Sequence, residues 1–148
     1  MNSVLERLRR SGFVRYWVPT IGYCLLIFVL SSISKGVYMP SPFGVDKVAH
    51  FVEYGVLGFL LARLIVNVQS TFSRGFLLGL VVILATLYGI SDEVHQAFVP
   101  GRNANPWDVA ADGLGGLMGA VVYKRSIHKR DARPGGKRKA RVSADRIE

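Results

Sequence analysis

Residues 16–33, YWVPTIGYCLLIFVLSSI, decide the class of fold. The stretch has no charged side chain and follows Arg9, Arg10 and Arg15, so it reads either as the apolar part of a secretory leader or as a membrane span. It is long enough to span, and no small-x-small cleavage site introduces a soluble domain after it. More apolar runs follow: Val48 to Val68, Gly75 to about Val99 with its most apolar part ending near Ile90, and Pro106 to Tyr123. Each has the length that crosses ~30 Å of hydrocarbon at ~1.5 Å per residue. The expectation is an all-α integral membrane protein, an antiparallel bundle of four transmembrane helices over residues 16–123.

Charge sets the orientation. Half of the 148 residues are hydrophobic, and the formal charge of +9 sits mostly at the two ends. Ten of the 19 Lys and Arg residues lie at or after Lys124, and Arg7, Arg9, Arg10 and Arg15 precede the first run. Only Lys35, Lys47, Arg63, Arg74 and Arg102 lie between. By the positive-inside rule residues 1–15 and 124–148 face the cytoplasm, and the loops near 35–46 and 100–105 face outward, in a plasma-membrane protein. The segment 124–148 reads as a disordered tail held near anionic inner-leaflet lipid. It has no aromatic residue after Tyr123 on which a base could stack, so nucleic acid is excluded as a partner. The lone Cys24 cannot form an internal disulfide and reads as a small packing residue.

Local signals support the bundle. Asn105 and Pro106 make a helix start, cap followed by first-turn proline. Gly58 with Ala62, Gly75 with Gly79, and Ala111 with Gly115 and Gly119 offer small-residue faces for close helix approach.

Six of the ten acidic residues, Asp46, Glu53, Asp92, Glu93, Asp108 and Asp112, fall in or beside the last three spans. On the expected topology all six lie in the outer half of the membrane. Asp46, His50 and Tyr54 are spaced i, i+4, i+8; Asp92 with Gln96, and Asp108 with Asp112, are i, i+4, and such residues share a helix face. An ionised carboxylate in a bilayer costs roughly 2.5–3.5 kcal/mol on insertion scales. A layer of them must therefore be mutually compensated or line a wet cavity. Salt bridging and helix-end solvation account for single members, Asp108 at a helix N-terminus for example. The number of groups favours a shared, outward-opening site.

Within that site Asp46, His50, Glu53, Asp92 and Glu93 are the candidate catalytic groups, with Asp46 one turn from His50 as the pair for proton transfer. Tyr54, Gln96, Arg102, Asp108 and Asp112 are the candidate substrate-binding groups, with Arg102 folded over the cluster to neutralise carboxylates or bind an anionic group. Carboxylates with histidine also form donor sets for divalent cations, but the sequence names no metal or cofactor. No HExxH, CxxC, GxSxG or phosphate-loop pattern is present, so no enzyme class is specified by motif.

These same residues carry a resemblance. Val45-Asp46-Lys47-Val48-Ala49-His50-Phe51-Val52-Glu53-Tyr54 with Leu57 and Leu60 resembles the first signature of VanZ-like membrane proteins. Residues 91–102, SDEVHQAFVPGR, resemble the second, and Asp108-Val109-Ala110-Ala111-Asp112 with Gly115 and Gly119 the third, where relatives often carry Asn at the position of Asp112. The resemblance covers about residues 17 to 123. It implies a cell-envelope role, in some relatives linked to teicoplanin resistance, and assigns no settled reaction. The leading expectation is a protein that acts on or binds a lipid-linked or amphiphilic envelope substrate. A non-enzymatic accessory protein binding envelope lipid, antibiotic or a partner protein is second. A proton or ion relay is third, because the inner halves of the spans are nearly uncharged.

Overall fold

The computed structural model describes residues 12–34, 44–69 and 71–131. Among them are four long helices and no strand: α1 (Val18–Ser32), α2 (Val45–Val68), α3 (Arg74–Gln96) and α4 (Pro106–Asp131). A single π-helical turn, Phe13–Trp17, leads into α1. Pro19 in the first turn of α1 has no N–H to return to Arg15, which is where the regular ladder gives way to the wider turn.

Three stretches are long and apolar enough to cross a membrane: Val14–Ser32, Val45–Val68 and Arg74–Gln96. The α4 helix, expected as the fourth span, falls short on composition. It carries Asp108 and Asp112 and spends Gly113, Gly115, Gly116 and Gly119 on packing. Its polarity is turned inward, since Asp112 is 0% and Asp108 5% exposed.

The molecule is apolar outside and polar within. Leu25, Val48, Val52, Ile83, Leu87 and Leu114 are exposed, while His50, Asp92, Glu93, Gln96, Asp108 and Asp112 are buried. That inversion suits a lipid solvent, which rewards outward hydrocarbon and penalises unpaired polar groups.

The tightest crossing joins α2 to α4, which run parallel although α3 lies between them in sequence. A methyl group on Gly119 would overlap the Gly55 carbonyl, one on Gly115 the Phe51 carbonyl, and one on Gly58 the Gly116 backbone. Only glycine admits backbones at that separation. The expected packing role of Gly75 and Gly79 on α3 is corrected: a methyl group on either would meet nothing, because that face of α3 points away from the bundle.

Two apolar clusters fill the interior, one around Ile27, Tyr54, Leu57 and Ala85, the other around Ala62, Leu77, Val81, Ala120 and Tyr123. Ile127 packs on the second, and the helix persists to Asp131, so the start of the expected tail at 124 is helical. Residues 132–148 lie outside the described residues, as do residues 1–11 and the larger part of the first expected loop.

Candidate functional site

The site is assembled at one end of the bundle from the first turns of α2, the last turns of α3 and the first turns of α4. Gly44, at φ 107°, leads the chain into α2. Asn105 caps α4 as expected, its side-chain oxygen accepting from Trp107 N–H at 3.1 Å. The Asn105 backbone N–H in turn donates to Glu93 Oε2 at 2.6 Å, which ties the start of α4 to the end of α3.

His50 lies at the centre. Its Nδ1 meets Asp112 Oδ1 at 3.0 Å, and its Nε2 faces Glu93 Oε1 at 3.9 Å. Expected proton-transfer partners were Asp46 and His50, but the imidazole is held by Asp112 across the α2–α4 crossing. Asp46 turns instead to Lys47, whose Nζ lies 3.1 Å from both Asp46 Oδ2 and Asp108 Oδ1. A ring nitrogen against an ionised carboxylate must carry the hydrogen, so Nδ1–H donates and Nε2 is left toward Glu93.

The remaining candidates divide clearly. Asp92 accepts from Gln96 Nε2 at 2.7 Å, the expected i, i+4 pair, with both side chains buried. Tyr54 is 0% exposed, stacked 6.3 Å from the His50 ring, and its hydroxyl finds no hydrogen-bond partner. Glu93 Oε1 and Asp112 Oδ2 are also buried without one. Glu53 is half-buried, within electrostatic reach of His50, Asp92, Asp112 and Arg102.

Arg102 lies within electrostatic reach of the Glu53 carboxylate, but its hydrogen bonds go elsewhere. Its guanidinium donates to Leu30 O at 2.7 Å and Ile33 O at 3.3 Å, two carbonyls at the end of α1, the first of which also accepts the Ile33 backbone N–H at 3.3 Å. Gly101, at φ 78°, supplies the turn that aims it there. Ser34 Oγ donates to Pro100 O, and Ser32 Oγ bonds His95 Nε2, so α1 is fastened to the same loop.

Sequence reasoning missed two contributors. Lys47 bridges two carboxylates and was legible only as the residue between Asp46 and Val48. His95 stands 4.5 Å from the Phe28 ring and bonds Ser32, a contact no helix periodicity reveals.

Beside the buried chain runs an open groove of about 620 Å³ between α3 and α4. Ile90, Val94, Ala97, Phe98, Pro106 and Val109 line it, and Glu93 stands in its wall.

A bundle with hydrocarbon outward and a chain of buried carboxylates, lysine and histidine at one end is a helical membrane protein with a polar site between its helices. The family model for VanZ/LLP1 matches residues 6–128, and the chain belongs to that family. No curated protein and no solved structure matches it.

Proposed function

We propose that this is a four-span protein of the plasma membrane, both termini cytoplasmic, whose outward polar end binds or acts on a lipid-linked or amphiphilic envelope substrate. The observation that carries the reading is the joining of two unlike surfaces. The groove lined by Ile90, Val94 and Val109 has the apolar walls and volume of a ligand site, and its single carboxylate, Glu93, backs onto His50. A hydrocarbon chain fits the first surface and a polar head the second. The fourth span is supported by the parallel contact of α4 with α2, from Gly115 beside Phe51 to Tyr123 beside Asn67. The outward placement of the site rests on the basic residues at the opposite end, Arg15, Arg63, Lys124 and Arg125 among them.

Catalytic roles for Asp46, His50, Glu53, Asp92 and Glu93, and substrate contacts for Tyr54, Gln96, Arg102, Asp108 and Asp112, belong to this proposal. A resistance-type role against glycopeptides is one form it takes. The test compares envelope lipids and cell-wall precursors in a deletion strain with those in a strain carrying His50→Ala. The same altered species in both supports a role for the site. A change confined to the deletion strain points to a scaffold.

A further inference from the structure

Two acceptor atoms face one another at the heart of the site. When His50 is neutral and Nδ1–H donates to Asp112, Nε2 is an acceptor facing Glu93 Oε1 3.9 Å away, too far for a hydrogen bond. Glu93 Oε1 is buried and unpartnered, on a side chain 8% exposed. A carboxylate oxygen of Asp108 completes a set of three donor atoms all within 4.8 Å of one another.

We propose that His50 Nε2, Glu93 Oε1 and an Asp108 oxygen together hold one divalent metal ion of the zinc or manganese class. The geometry is close to what such an ion needs. Donors at about 2.1 Å from a tetrahedral centre stand about 3.4 Å apart, so modest side-chain rotation closes the set. The outer contacts match those of metal-binding histidines and carboxylates. Asp112 orients the imidazole and fixes its tautomer, Asn105 N–H anchors the second oxygen of Glu93, and Lys47 anchors Asp108.

Charge argues the same way. Among the described residues, these contacts join four carboxylates, Asp46, Glu93, Asp108 and Asp112, to the one cation Lys47 when His50 is neutral. A divalent ion cancels two of the three remaining negative charges where low dielectric makes each costly. One imidazole and two carboxylates favour zinc or manganese over magnesium, which prefers oxygen and keeps its water. Only the idea that an open coordination position meets a substrate head in the groove rests on the proposed function. The ion itself needs no substrate.

The experiment uses the full chain in detergent, treated with chelator and titrated with manganese alone, bound ion being read by electron paramagnetic resonance. One ion per chain is expected, with a nitrogen coupling from a single imidazole, and zinc should displace it. His50→Ala, Glu93→Gln and Asp108→Asn should each weaken binding about tenfold or more. Gly79→Ala, on the open face of α3 and outside the site, should change it by about twofold at most. Absence of saturable binding, absence of the nitrogen coupling in the unaltered chain, or equal binding by Glu93→Gln overturns the proposal. Because the nitrogen coupling is read in the unaltered protein, a variant that fails to fold does not leave the question open. None of these readouts depends on a substrate, so the ion can fail while the amphiphile reading stands, and the reverse.

Discussion

His50 Nδ1 and Asp112 Oδ1 lie 3.0 Å apart, joining α2 to α4 across 62 positions of sequence. The contact is buried on both sides, so it is a positioning device before it is anything else. It exists because glycines let α2 and α4 touch along their backbones.

Removing the acceptor should free the imidazole. Asp112→Ala leaves a buried Nδ1–H unpaired and is expected to lower stability by about 1–3 kcal/mol. Asp112→Asn should retain part of the contact, because its amide oxygen can still accept from Nδ1–H. Gly89→Ala offers an independent approach, because a methyl group at Gly89 would overlap the Asp112 carboxylate. It should reproduce the envelope phenotype of His50→Ala without removing any charge. Thermal unfolding in detergent and envelope profiling check the three variants.

The α2–α4 crossing should be intolerant of volume. Gly119→Ala and Gly58→Ala push a carbon into backbone that cannot move aside. Each is expected to cost about 1–3 kcal/mol and to loosen the site with it. Gly79→Ala, on the open face of α3, should be neutral or stabilising by up to about 1 kcal/mol through helix propensity. Comparable losses at all three positions would show that the crossing is not as described.

Much of this was legible in the sequence. The apolar runs of α1, α2 and α3, the Asn105 cap and the Asp92–Gln96 pair follow from composition and from i, i+4 spacing. The partner of His50 was not, since Asp46 and Asp112 both satisfy one-turn and end-of-helix arguments, and only the parallel crossing selects Asp112. The hydrogen-bond partners of Arg102 were hidden for a related reason. A long side chain on a glycine turn reaches several elements, and the carbonyls at the end of α1 lie outside any pattern in its own segment. The weak apolar character of α4 has the same origin: its carboxylates and glycines face its neighbours, and hydropathy does not record direction.

Lys47 should matter more than its partial exposure suggests. Lys47→Met removes the cation between Asp46 and Asp108 and leaves both uncompensated. Expected results are reduced folded yield and the envelope phenotype of His50→Ala, with Lys47→Arg correcting most of both because it keeps the charge and can fork between two acceptors. Failure of Lys47→Met to alter either readout would show that the bridge is incidental.

Reporter fusions test the topology. A fusion after Asn103 should report an external location and one after Lys129 a cytoplasmic one, on either side of α4. Matching signals at the two positions would mean that α4 does not cross, and the site would then lie at a membrane surface and not between four spans.

The groove supplies the last prediction. Val109 and Ala97 line it, on α4 and just after α3. Val109→Trp and Ala97→Trp should fill the space a hydrocarbon chain would use while leaving Lys47, His50, Glu93 and Asp112 in place. If an amphiphile is recognised there, both variants should fold with unchanged helicity and thermal transition, and both should shift envelope lipids or precursors in the direction of His50→Ala. If only the polar chain matters, a filled groove should leave those profiles as they are in the unaltered strain. Intermediate bulk at the same positions, Val109→Phe for instance, should give an intermediate profile. Graded exclusion by size is the signature of a ligand that occupies the groove, and an electrostatic disturbance of the carboxylates would not produce it.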